Sequence, residues 1–104
     1  MKVSYMDVTA TRKYDFSELS APGDFLLTER MNVYGYHGMI FVCPCSCGDK
    51  STATFNSVPV AAHDIPRWYW DGNEEHPTLI PSLMKTSGCR YHGWLKKGVF
   101  TCSP

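Results

Sequence analysis

Apolar positions along the chain fall in short runs, not at helical spacing. The stretches DFLLTER (24–30) and MIFVC (39–43) have strand length, and the first is opened by the turn pair Pro22-Gly23. STATFNSV (51–58) alternates hydroxyl-bearing with small or apolar residues, the period of a half-buried strand. Pairing back on 39–43, it would make a hairpin with the cysteines of FVCPCSCGDK at its tip. RWYWDGN (67–73) is an aromatic strand entering an Asp-Gly-Asn turn, and three aromatics in succession cannot all point inward. PTLIPSLMK (77–85) is extended, and its two prolines predict a place off the centre of a sheet. YHGWLKK and VFTC flank Gly98 as the arms of a hairpin would. No window sustains a 3.6-residue period; the only helical candidates, DFSELS (15–20) and VAAHDI (60–65), amount to one or two turns each. The expected class is mainly β.

Length and charge narrow the picture. A chain of 104 residues forms one domain, here 1–104, whose single core leaves little stability margin. Residues 1–20 read as a loosely packed N-terminal segment. Ten basic and ten acidic residues balance, which removes any global pull towards nucleic acid or an anionic membrane. The N-terminus has no signal-like apolar stretch, and no run is long enough to span a bilayer as a helix. The expected location is cytoplasmic, where thiols stay reduced. Five cysteines, an odd number, also suit a disulfide framework badly.

Clustered reduced cysteines point instead to a metal. Cys43, Cys45 and Cys47 precede Gly48 in a proline-stiffened turn, and Cys89 and His92 form a Cys-x-x-His half-site. These are five donors for four positions. Cys43, Cys47, Cys89 and His92 make the preferred set, with Cys45 left over, because residues one apart in extended chain point opposite ways. Zinc is the expected ion and an iron–sulfur cluster the alternative. With the metal, the fold becomes a small zinc-ribbon-like antiparallel sheet with short or no helices. Cys102 reads as a packed thiol, and His37 and His63 as ordinary residues.

No catalytic residue stands out, since the deaminase signature and His-Glu-x-x-His are both missing. A small metal-dependent hydrolase with Glu74 or Glu75 as base is one alternative, although GNEEHP reads first as a solvated turn. Lys85, Arg90, Tyr91, Trp94, Lys96 and Lys97 interleave base with aromatic, so a nucleic-acid-binding zinc ribbon is another. The leading reading is a non-enzymatic binding module that engages a protein partner through exposed aromatics.

The order PGDFLLTE, FVCPCSCG, WYWDGN, PTLIPSL, CRYHGWLKKGVF resembles a family of small zinc-binding proteins found in phages and bacteria, phage members of which often carry the label "ammonia monooxygenase". The family pattern has a cysteine knuckle, a Trp-x-Trp-x-Gly-Asn strand, a Pro-Thr-Leu-x-Pro-Ser-Ile segment and a closing Cys-x-x-His-x-Trp hairpin. It is matched here from about Pro22 to Phe100, with Ser46 where many relatives have glycine. The resemblance implies a metal site on a β fold. Some bacterial relatives are encoded near ubiquitin-like conjugation genes, which implies a host or defence-related protein as partner. The monooxygenase label finds no copper-type histidine cluster here to support it.

Overall fold

The computed structural model describes residues 7–29, 36–55, 67–85 and 88–102. They form nine strands: β1 (Val8–Thr9), β2 (Thr11–Lys13), β3 (Asp24–Glu29), β4 (Tyr36–Val42), β5 (Lys50–Phe55), β6 (Arg67–Trp70), β7 (Leu79–Met84), β8 (His92–Lys96) and β9 (Val99–Cys102). Their order in space is β1-β9-β8-β7-β6-β5-β4-β3-β2. Most contacts are antiparallel, while β2–β3 and β5–β6 are parallel. Among the described residues DFSELS yields only a 3-10 turn, Phe16–Glu18, where the Glu18 carboxylate accepts from the Tyr14 and Asp15 N–H groups. No helix there is long and apolar enough to cross a membrane. The helix expected at 60–65, and His63 with it, lie outside the described residues.

The two ends of the sheet are neighbours in sequence. β1 pairs with β9 and β2 with β3, and only Ala10 separates them. Ala10 N–H donates to the Gly98 carbonyl at 2.8 Å and Thr11 N–H to the Gly23 carbonyl at 3.1 Å, so residues 8–13 draw the sheet into a nearly closed barrel. Residues 8–13 of the N-terminal segment therefore supply the closure. Inside lie Phe25, Met39, Phe55, Leu79, Leu95 and Phe100, and the rings of Phe41 and Phe100 meet across the interior at 5.3 Å. Fully burying one such side chain contributes about 1.5–3 kcal/mol.

Both expected hairpins form. Val42 pairs with Lys50, leaving 43–49 at the tip of β4–β5, and Lys96 pairs with Val99 around Gly98. Of the aromatic run, Tyr69 faces out while the Trp68 and Trp70 indoles are half-buried. One expectation fails: β7 is an interior strand, between β6 and β8. Pro81 is accommodated because Leu79 pairs with Leu95 and Leu83 with Gly93, so Ile80, Pro81 and Ser82 together face Trp94 alone. In such a bulge the missing proline N–H breaks no ladder bond.

Candidate metal centre and active site

The two cysteine-bearing loops come from hairpins that end at the same side of the barrel. Cys43 N–H donates to the Asp49 carbonyl (2.8 Å) and Ser46 N–H to the Cys43 carbonyl (3.3 Å), winding 43–49 into a tight loop in which Ser46 and Gly48 have φ of 74° and 86°. Serine thus takes the left-handed turn conformation at a position where glycine would adopt it more cheaply. Lys85 N–H donates to the Tyr91 carbonyl at 2.8 Å, closing the β7–β8 loop that carries Cys89. Lys85 Nζ then reaches Asp49 Oδ2 at 3.1 Å, strapping one loop to the other.

The sulfurs of Cys43, Cys45, Cys47 and Cys89 all lie within 4.8 Å of one another, with Cys43 Sγ 3.2 Å from Cys45 and 3.4 Å from Cys89. A tetrahedron of thiolates at metal–sulfur bonds of about 2.3 Å spaces its sulfurs about 3.8 Å apart. The four side chains therefore fit a metal ion. Cys43 is buried beneath it, and the other three are exposed. Burial pushes the Cys43 and Cys45 thiols up. Burial acts the same way on Cys89, but hydrogen bonds from Cys45, the Tyr91 N–H, Cys43 and Cys47 bring it down to about 6. Thiols must lose their protons to ligate a cation, so metal binding here would release protons. Desolvation opposes the charge on Lys85, yet Asp49 and the sulfurs of Cys43 and Cys89 hold its pKa above the ordinary lysine value.

This grouping differs from the preferred ligand set in two places. Cys45 joins it, because 43–49 is a turn and alternation along a strand does not govern where its side chains point. His92 stands apart: its Nε2 lies 3.1 Å from Ser82 Oγ. Met84 is the residue opposite His92, which makes Ser82 its diagonal neighbour on the outward face of β7 and β8. The Ser82 carbonyl accepts the Trp68 indole N–H at 3.2 Å. Bulges of this kind re-aim side chains and recur beside active sites.

Sequence reasoning passed over Ser82. The available signal was that the Pro-Thr-Leu-x-Pro-Ser segment and a histidine both belong to the family pattern, while four cysteines already suffice for a metal site. Glu74 and Glu75 sit in the β6–β7 loop, at the far end of β7 from the cysteines, and both pair with Arg12 at 3.1 Å. They are not placed to act as bases at the metal centre. Tyr91 is buried with its hydroxyl donating to the Thr101 carbonyl, and Lys96 lies 4.8 Å over the Trp94 ring. Cys102 is half-buried in β9, opposite Gly93.

A family model described as "Bacterial ubiquitination-like system serine protease (BubE)" matches residues 11–103. The chain belongs to this family. No curated protein and no solved structure matches. The BubE match spans all four cysteines, Ser82 and His92, so both constellations lie within the family's own domain.

Proposed function

We propose that this BubE-family domain is a serine hydrolase that cleaves an acyl bond in a protein of a ubiquitination-like system, with Ser82 as nucleophile, His92 as general base and the four cysteines holding a structural zinc. The observation that carries this reading is the 3.1 Å approach of His92 Nε2 to Ser82 Oγ on an outward-facing bulge. The word "protease" in the family description agrees with it. A protein substrate suits the surroundings, because Tyr69, Ile80, Met84 and Trp94 are large apolar residues exposed on the face that carries Ser82. The partner expected from the sequence becomes the substrate of a hydrolase.

With Nδ1 carrying the ring proton, the Ser82 hydroxyl donates to His92 Nε2. As Oγ attacks the substrate carbonyl, the Oγ–C bond forms and the proton passes to Nε2; when the C–N bond breaks, His92 returns that proton to the leaving amine. Water then attacks the acyl-serine, giving a proton to His92, and collapse restores the Ser82 hydroxyl with release of the acid. Cys43, Cys45, Cys47 and Cys89 would hold a zinc ion as a closed four-thiolate set, where it would supply folding energy and take no part in the acyl transfer.

A fluorophosphonate probe, followed by peptide mapping, tests the nucleophile. Modification at Ser82, absent in Ser82→Ala, is the expected result. Folded, metal-loaded protein that resists the probe at Ser82 would overturn the hydrolase reading. Elemental analysis should find about one zinc per chain; visible absorbance from iron would replace zinc as the ion.

A further inference from the structure

Beside Ser82 the barrel wall has an opening among the described residues. β6 begins level with the end of β5, where Thr54 and Phe55 pair with Arg67 and Trp68, and it meets β7 only through Tyr69 and Trp70. The first half of β5 and the second half of β7 therefore have no described strand between them. A cavity of about 290 Å³ occupies that gap. Phe41 and Leu83, both buried, make its floor, Trp68 and Met84 its walls, and Ser51 and Thr52 its rim.

We propose that this cavity receives a large uncharged side chain of the substrate, one or two residues from the bond that Ser82 cleaves. The proposal rests on the hydrolase reading and adds its specificity. Three observations carry it. The first is position: Leu83 and Met84 directly follow Ser82, so the cavity wall starts within about 7 Å of the nucleophile along the strand. Trp68 joins the two features physically, donating to the Ser82 carbonyl while lining the cavity. The second is size, because whole small-molecule ligands take roughly 300–1,000 Å³ and this space lies just below that range, which suits one side chain. The third is charge. Lys85 is the charged residue of the lining, and its ammonium is already committed to Asp49 at 3.1 Å beside the cysteine sulfurs. What remains is apolar and aromatic surface with the hydroxyls of Ser51 and Thr52, the Tyr91 hydroxyl being turned to the Thr101 carbonyl, and it rewards a leucine, methionine, phenylalanine or tyrosine and penalises an aspartate or lysine.

A defined library of unstructured 14-residue peptides, incubated with the full chain and read by mass spectrometry, tests this. Cuts should show a large uncharged residue at one fixed position within two residues of the bond. In Thr52→Trp, which fills the rim, the ratio of cuts at large to cuts at small residues should fall by about tenfold or more. Thr52→Val, which keeps the volume, should retain the preference. If Thr52→Trp fails to fold, the wild-type preference itself decides. Ser82 labelling by fluorophosphonate without any selective cut, or with a preference unmoved in Thr52→Trp, overturns the pocket and leaves the nucleophile standing. Absence of Ser82 labelling removes the hydrolase reading and the pocket with it.

Discussion

A serine hydroxyl is a poor nucleophile until a base holds its proton, and an imidazole 3.1 Å away is such a base. The same imidazole cannot also be a metal ligand through that nitrogen, so the two assignments of His92 separate by experiment. His92→Gln should slow fluorophosphonate labelling by about a hundredfold or more while zinc stays near one per chain. Cys89→Ser and Cys45→Ser should both lower zinc content, and equal retention of zinc in Cys45→Ser would return Cys45 to the spare position first expected for it. Gly93 is the second residue on which the site depends. A Cβ there would run into the Thr101 carbonyl and the Tyr91 hydroxyl, which lie against it. Backbone cannot yield as a flexible side chain does, so Gly93→Ala should destabilise by about 1–3 kcal/mol or more in urea unfolding.

Among the elements, the two cysteine loops are held by few forces of their own. Among the described residues each has a short backbone bond across its neck, and the Lys85–Asp49 pair between them is more than half exposed on the aspartate side. An ion pair of that kind contributes roughly 0–1 kcal/mol. A metal ion held by the four sulfurs would therefore be the main tie between them. Chelation should raise hydrogen exchange in 43–49 and 88–91 while Phe25, Leu95 and Phe100 stay protected, because the strands keep their own core. The melting temperature should drop by more than about 5 °C, the shift produced by roughly 1 kcal/mol in a domain of this size. Acid should act in the same direction. Each ligand must be a thiolate, so zinc release, read with a colorimetric chelator, should increase as pH falls and reverse on neutralisation.

For the whole molecule the decisive stretch is residues 8–13. They close the barrel by pairing with β9 on one side of Ala10 and β3 on the other, and Arg12 adds hydrogen bonds to Glu74, Glu75 and the Tyr36 hydroxyl. A chain beginning at Tyr14 would expose the edges of β3 and β9 together, and unpaired edges invite association. Its thermal transition should broaden and it should self-associate in light scattering. Four sulfurs drawn from the β4–β5 and β7–β8 loops do not depend on that closure, so zinc should still bind. A truncated chain that melts sharply and stays monomeric would show that the barrel needs no closing segment.

Period-2 alternation and turn residues determined most of the strands, the two hairpins and the gathering of cysteines at a hairpin tip, because each depends on neighbours within a few residues. The cysteine cluster was legible for the same reason: three cysteines in five positions meet wherever the chain turns. The division of labour among the donors was not. Whether Cys45 points to its neighbours follows from the turn at Ser46, and whether His92 faces a metal or a serine follows from the register between β7 and β8. That register is shifted by a bulge around Pro81, a residue that by sequence argued against an interior strand altogether. Strand pairing across the seven residues between β7 and β8 is decided by which side chains the core accepts on each face. Ser82 and His92 became a pair only because Leu83, Gly93 and Leu95 are buried and leave the two of them on the opposite, outward side.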